Sequence, residues 1–527
     1  MTFGTSVLAR QRATLRKILP WGKRLRSTLS TLILVACFFA SMPLASAREA
    51  AGTRDAQALK EQLIREYPSL LYVDHYRAAY PDEIQGTRPI WSEGSAPAVP
   101  DSQSLVEALA QLQDQHVALV GAKAGKTETL GVLFRSSADG SLIAWRDFDP
   151  ATTKGALKRG DRVLAIGGVK SQAWLQQVAK LTFGGNRRGR MAEAALDLGL
   201  ATPIVHKTSG LGAQVELLVH SRGKSPRMVK LAYRPMNEQL AIAMSAAIEQ
   251  PDLPERFQVG GLRVGALRIG AFAPQYDPVF VKASDAAGAT PGTSDDEAML
   301  AGYCAVVHGF TKRFDSLAQN VDVMVLDLRG NMGGFDREAR LFADALAGAK
   351  LPRTFDFAAT STRGTVELVE EKIDPSCGRV AVRRPVVVVV DAGTRSAGEF
   401  MTSWLWAAGF PVIGETTMGA GGGYQFEGPS SFALPESGFN VRASAVFSIF
   451  DPVRALTPGR RLEAPLVELI TAQNFKPSRA RPFAIQSVGF IPDLQVDSRA
   501  RDLQDGGLAQ LKAAIAKMMK QGRLRQD

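Results

Sequence analysis

Apolar residues recur at two different spacings along this chain of 527 residues, and these spacings predict its elements. At 56–65 and 102–114 they recur every three or four positions, which predicts helices. From 127 to 235, short alternating or continuous apolar runs predict strands around one helix at 171–181. An amphipathic helix is predicted near the end of the chain, at 508–521. A strand-rich region therefore follows the first helices.

Predicted helices and strands alternate regularly between residues 261 and 416. The strands are almost wholly apolar, as in VMVLDL at 323–328 and PVVVVVD at 385–391. Strands of this kind are buried on both faces, so the pattern indicates an α/β layer. Residues 282–298 lack large apolar side chains and predict a surface loop.

The first 47 residues predict a secretory signal peptide. They hold seven Lys or Arg and no acidic residue, and an apolar run at 29–44 leads to Ala-Ser-Ala at 45–47. We expect export to the periplasm or the medium, no membrane span after cleavage, and lipoprotein anchoring at Cys37 only as a minor alternative. Without this segment the formal charge falls from +11 to +4, which gives no electrostatic case for nucleic-acid binding.

One block at 392–423, AGTRSAGEFMTSWLWAAGFPVIGETTMGAGGG, carries the clearest sign of chemistry. A turn of small residues puts Ser396 at the start of a predicted helix, whose backbone amides can stabilise an anion. This arrangement predicts the nucleophile of a serine hydrolase. Ser396 and Glu399 also fit a capping box, S-x-x-E, whose only role would be to begin the helix.

The sequence carries no sign of a metal or an organic cofactor. HExxH, CxxC and phosphate-binding glycine loops are absent from it, so we predict neither. Of the three cysteines, Cys304 and Cys377 remain in the predicted mature chain. In an oxidising compartment they could form a disulfide, and two buried thiols are the alternative.

Four segments together resemble the S41 peptidases. They are VMVLDLRGNMGGF at 323–335, the Ser396 block, GALKRGDRVLAIGGV at 155–169 as the core of a PDZ domain, and GFIPDLQVD at 489–497. The resemblance implies a mixed α+β and α/β fold with a crotonase-like protease core. The implied domains are a signal peptide (1–47), a helical N-terminal region (48–126), a PDZ-like β module (127–235), the S41 core (236–500) and a C-terminal helix (501–527).

The resemblance also implies a catalytic set. Tail-specific members use a lysine in the loop after the serine, but here Ala420 stands in that position and no lysine occurs between Lys372 and Lys476. The chain is more similar to the Ser-His-Glu type of the chlamydial protease-like activity factor, whose histidine lies in a D-x-H motif before the PDZ-like module. That comparison implies His116 as the base.

The third member of the implied set is a glutamate in a G-x-x-x-E pattern. Glu463 fits that pattern, and Glu468 is the alternative. Asp114, in the D-x-H motif itself, is expected to end a helix or orient the histidine rather than carry a proton.

Two binding sites are implied in addition. The amides of Ala397 and Gly333 would stabilise the oxyanion of the reacting carbonyl. In the PDZ-like module, a carboxylate-binding loop would receive the C-terminus of a substrate chain. This loop consists of Thr129, Leu130, Gly131 and Val132.

These observations predict an exported serine endopeptidase that cleaves unfolded or C-terminally presented proteins with a Ser396–His116–Glu463 triad. Its partners would be protein or peptide substrates, and a homo-oligomer is left open. The alternative is a catalytically silent peptide- or ligand-binding protein that keeps the same scaffold. A third reading is a zymogen that the loop at 282–298 holds inactive.

Overall fold

The computed structural model describes most of the chain. The described residues are 44–71, 102–120, 125–288, 296–360, 365–372, 374, 376–423, 431–463, 477–522 and 524. Residues 1–43 of the predicted signal peptide and the alternative Glu468 lie outside them. Among the helices described, none combines the length and the apolar character needed to cross a membrane.

The N-terminal region is built on two helices and a small antiparallel sheet. Leucines of both helices, Leu63 and Leu109 among them, pack with Val441 of the sheet in one buried cluster. This sheet has the order β1-β20-β19, so the strand near residue 119 pairs with the strand near residue 441. The elements are α1 (Leu44–Glu66), α2 (Ser102–Ala110), β1 (Ala118–Val120), β19 (Ser431–Ala433) and β20 (Asn440–Arg442).

A β module follows, with an antiparallel sheet of order β3-β4-β5-β8-β9 and β6 paired to β5. Its helices α4 and α5 bury Leu175 and Leu198 against the strand residues Val132 and Leu217. The strands are β2 (Glu128–Thr129), β3 (Val132–Ser136), β4 (Leu142–Asp147), β5 (Arg162–Ile166), β6 (Val169–Lys170), β7 (Leu200–Ala201), β8 (Gln214–His220), β9 (Arg227–Ala232) and β10 (Arg234–Pro235). The helices are α3 (Pro150–Thr153), α4 (Ser171–Val178), α5 (Arg187–Gly199) and α6 (Pro203–Thr208).

The core contains a six-stranded sheet of order β11-β12-β13-β16-β17-β24. All its neighbouring strands are parallel except β11 and β12. Val388 of β16 packs in the cluster that contains helices α9 to α11, whereas Val389 packs with Leu511 of α13 on the other face. Burial of successive valines on opposite faces explains the continuous apolar run and confirms the predicted α/β layer.

The core elements are as follows in chain order. The helices are α7 (Glu238–Glu249), α8 (Pro278–Ala286), α9 (Asp296–Ala318), α10 (Asp336–Ala347), α11 (Ala397–Ala407), α12 (Ala500–Gln504) and α13 (Leu508–Lys520). The strands of the parallel sheet are β11 (Arg256–Val259), β12 (Leu262–Arg268), β13 (Val323–Asp327), β16 (Val386–Val390), β17 (Val412–Gly414) and β24 (Leu494–Gln495).

A second sheet of the core is antiparallel and has the order β18-β21-β14-β15-β22, with β23 also paired to β21. It consists of β14 (Arg353–Ala359), β15 (Thr365–Glu370), β18 (Gly422–Gly423), β21 (Val446–Asp451), β22 (Arg461–Glu463) and β23 (Phe483–Ala484). Its order puts β18 and β22 at opposite edges of the main path, which bears on the site below.

The prediction of a loop at 282–298 is wrong at both ends, because α8 continues to Ala286 and α9 begins at Asp296. Small residues are compatible with a helix when a neighbouring helix covers them, and α8 packs against α9. A disulfide joins Cys304 of α9 to Cys377, with Cα atoms 4.8 Å apart.

Candidate active site

Ser396 lies between β16 and α11, at the carboxyl end of the parallel strands. It is the N-cap residue of α11, with φ of 49° and ψ of −126°, a conformation that is strained in a residue with a side chain. Thr394 Oγ1 donates to the carbonyl of Leu328 at 2.8 Å, and the Arg395 amide donates to that of Asn331 at 3.1 Å. The turn after β16 is therefore held against the turn after β13.

His116 contacts Ser396 from 280 residues away in the sequence. Its Nε2 lies 3.1 Å from Ser396 Oγ, which is hydrogen-bond distance. The strand that follows His116, β1, pairs with β20, and this pairing fixes the histidine segment on the core. A serine hydroxyl in contact with an imidazole nitrogen is the geometry in which histidine can take the serine proton.

Asp114 is the carboxylate beside His116. Its Oδ1 accepts the backbone amide of His116 at 2.8 Å and lies 3.5 Å from the ring Nδ1. Its Oδ2 accepts the hydroxyls of Tyr67 at 2.9 Å and Ser444 at 2.7 Å. Burial alone would raise the pKa of Asp114, but the hydrogen bonds and charge of His116 and the Ser444 hydroxyl hold that pKa below its ordinary value. The carboxylate is therefore ionised at neutral pH.

The predicted third member, Glu463, belongs to β22 at one edge of the antiparallel sheet. Asp114 lies at the opposite edge, where its Oδ2 is 3.3 Å from the Cβ position of Gly422 in β18. Four strand spacings separate the two edges, which is about 19 Å and beyond the reach of a glutamate side chain. The assignment of Glu463 as the orienting carboxylate is corrected in favour of Asp114.

Gly333 lies directly against the nucleophile. A Cβ at Gly333, whose φ is 74°, would be 2.7 Å from Ser396 Cβ. However, the Gly333 amide donates to Oδ1 of Asn331 at 2.8 Å, so it does not face a substrate in this conformation. An Asx turn uses this N–H in the described conformation, and the role of Gly333 as an oxyanion donor stays a prediction.

Ala397 is the first residue of α11, immediately after the nucleophile. Its amide has no hydrogen-bond partner among the described residues. The first amides of a helix have no partner within the helix, and such an N–H can stabilise negative charge. The Ala397 amide is therefore available to a substrate oxygen, and its role as an oxyanion donor stays a prediction.

Glu399 is fully buried one turn below Ser396. Its carboxylate accepts the amides of Ser396 at 3.1 Å and of Gly419 and Ala420 at 2.7 Å each, together with the Thr417 hydroxyl. Burial raises the pKa of Glu399 to about 7 in spite of these donors. The residue predicted as a helix cap thus also joins the nucleophile turn to the glycine-rich loop.

Two amides of the predicted carboxylate-binding loop at residues 129–132 are already engaged in this conformation. The Leu130 amide donates to the carbonyl of Gly199 at 3.0 Å, and the Gly131 amide donates to Oγ1 of Thr129 at 2.9 Å. Packing is equally close at the next residue, where the Val132 carbonyl oxygen lies 2.1 Å from the Cβ position of Gly199. The end of α5 therefore packs against this loop, and the peptide-binding assignment of the loop stays a prediction.

Sequence reasoning did not identify the residues that support Asp114. Tyr67 follows α1 and Ser444 follows β20, and neither belongs to a recognisable motif. The Asn331 turn did carry a signal, since Asn two residues before Gly is typical of an Asx turn. Within the described ranges, no three His, Cys, Asp or Glu side chains are grouped so that they could hold a metal ion.

Comparison with known proteins finds one matching family model and solved structures of similar fold. Residues 301–438 match the family model described as peptidase family S41. The structure is similar to that of mature CPAF complexed with lactacystin, with a TM-score of 0.58, 14% identity, and coverage of 90% of this chain and 99% of that chain. A second structure of mature CPAF gives a TM-score of 0.57, 15% identity, and coverage of 90% and 98%. No curated protein sequence matches the chain.

Proposed function

We propose that this chain, which belongs to the S41 peptidase family, is an exported serine endopeptidase that acts through Ser396, His116 and Asp114. One observation carries the proposal: the 3.1 Å contact between Ser396 Oγ and His116 Nε2, two atoms that the chain brings together over 280 residues. A helix cap alone would not require a histidine beside the serine hydroxyl.

In the proposed reaction, Ser396 Oγ attacks the carbonyl carbon of the scissile peptide bond while His116 Nε2 takes its proton. The negative charge of Asp114, 3.5 Å from Nδ1, stabilises the imidazolium that forms. The Ala397 amide would donate to the oxyanion. His116 then returns the proton to the leaving amine, and a water molecule activated by the same nitrogen hydrolyses the acyl-enzyme.

The Gly333 amide could join Ala397 only if Asn331 released it. This contact favours two alternatives, which are a binding protein without activity and an enzyme that requires activation. Kinetics can separate these alternatives, because an enzyme that requires activation shows a lag or responds to limited proteolysis.

Export is supported by the sequence of residues 1–47 and by the disulfide between Cys304 and Cys377, since disulfides persist in oxidising compartments. Unfolded proteins are the proposed substrates. The C-terminal presentation expected from the sequence gains no support from the loop amides at 130 and 131, which are engaged within the protein.

The test uses purified residues 48–527 and the Ser396→Ala variant, with an unstructured protein as substrate and mass spectrometry of the fragments. We expect cleavage by the first and none by the second. Absence of cleavage by the first, also after limited proteolysis, would favour the binding protein. Equal cleavage by both would exclude Ser396 as the nucleophile.

A further inference from the structure

A cavity of about 270 Å³ lies beside the candidate catalytic pair. Its lining includes Gln115, Met332 and Arg395. These residues immediately precede His116, Gly333 and Ser396 in the sequence, so the cavity adjoins the position of a scissile bond. A substrate side chain next to that bond would enter it.

The walls of the cavity combine an apolar surface with more carboxyl groups than cations. The apolar part includes Val106, Phe183, Leu196, Leu200 and Val205. Two carboxylates of α5, those of Glu193 and Asp197, also line it and lie one helical turn apart, with Arg395 as the cation. Two carboxyl groups therefore share one arginine.

Arg395 forms its ion pair with one of these two carboxylates. Arg395 Nη1 lies 2.5 Å from Glu193 Oε2, and Arg395 is almost fully buried. The half-buried Asp197 side chain makes no hydrogen bond or ion pair with any described residue. Burial and the charge of Glu193 raise the pKa of Asp197 more than Arg395 lowers it. An added cation would remove this imbalance.

We propose that this cavity receives a lysine or arginine side chain adjacent to the scissile bond and that Asp197 selects it. The methylene stem would pack on the apolar wall while the cationic head pairs with the carboxylate, as these side chains do elsewhere. The inference rests on the proposed peptidase function for its meaning, but it can be tested by binding alone.

The experiment measures binding of fluorescent peptides to the mature chain carrying Ser396→Ala. The peptides share one Gly/Ser-rich sequence and differ at a single central residue, which is lysine or norleucine; norleucine keeps an apolar stem without the charge. We expect the lysine peptide to bind about tenfold more tightly, the size of a hydrogen-bonded charge contact. Adding Asp197→Asn should bring the ratio below threefold, because it removes the charge with almost no change of shape.

Asp285→Asn is the matched control, because it removes one negative charge from an exposed position on α8. It should keep the tenfold ratio. A ratio below twofold in the Ser396→Ala protein, a ratio unaffected by Asp197→Asn, or the absence of binding by either peptide would overturn the inference.

Cleavage of the same peptides by the wild-type chain is followed separately. A lysine preference that depends on Asp197, without cleavage, would refute the proposed function and keep the cavity assignment. Cleavage without such a preference would refute the cavity assignment and keep the peptidase.

Discussion

Replacing Asp114 with asparagine should reduce peptidase activity severely while the fold persists. Asparagine has nearly the same shape and can still accept a hydroxyl from Tyr67 or Ser444. It has no negative charge, and its NH₂ group would face at least one of the donors that Asp114 accepts. We therefore expect a modest loss of stability, about 1–3 kcal/mol for a mismatched buried group.

The loss of activity can be worked out from the distance between His116 Nδ1 and Asp114 Oδ1, which is 3.5 Å. With an effective dielectric constant of about 20, two unit charges at that distance interact by roughly 5 kcal/mol. The imidazolium exists only during the reaction, so the Asp114→Asn variant loses this interaction energy in the transition state and not in the ground state. A change of that size corresponds to a loss of roughly 3,000- to 5,000-fold in kcat/KM.

The assay compares kcat/KM of Asp114→Asn and Glu463→Gln on one quenched fluorescent peptide, with thermal unfolding to confirm that both variants are folded. Glu463→Gln should stay within twofold of the wild type, because its strand lies at the opposite edge of the sheet. The reasoning is refuted if Asp114→Asn retains activity within threefold of the wild type, or if Glu463→Gln shows the larger loss.

Three further predictions concern the surroundings of this site. Gly333→Ala should lower kcat/KM at least 10²-fold, because the new Cβ would lie 2.7 Å from the Cβ of Ser396. The control Gly155→Ala should leave kcat/KM unchanged, since Gly155 also has a positive φ but a Cβ there meets nothing within 4 Å; equal losses in the two variants would contradict the steric argument. Replacing both Cys304 and Cys377 with serine should lower the free energy of unfolding by about 4 kcal/mol, since the disulfide closes a loop over a separation of 73 residues. Urea titrations measure this change, and an unchanged midpoint of urea unfolding would argue against the disulfide. The pKa of Glu399 rises from 4.5 to about 7 on folding, so the folded state binds more protons and loses roughly 3 kcal/mol of stability as pH increases through that window. Glu399→Gln should flatten this pH dependence in thermal unfolding, and an identical slope in the variant would exclude Glu399 as its source.

The chemistry of the candidate site could be read from short motifs because those motifs are local. A turn of small residues before a helix identified Ser396, and the D-x-H segment lies between a helix and a strand. The valine run of β16 likewise predicted its own burial, since both faces of the strand are apolar. In each case the determining interactions lie within a few residues along the chain.

The partners of those residues depended on the tertiary structure. Asp114 and Glu463 were both compatible with the sequence as carboxylates for His116, and only the order of strands in the antiparallel sheet separates them. The amides at Gly333 and Gly131 are present in any fold, but their availability depends on which acceptors lie close to them. A sequence motif specifies a group and its local geometry. Contacts between residues far apart in the chain decide which groups are already paired, because a hydrogen bond or a charge interaction acts only over a few ångströms.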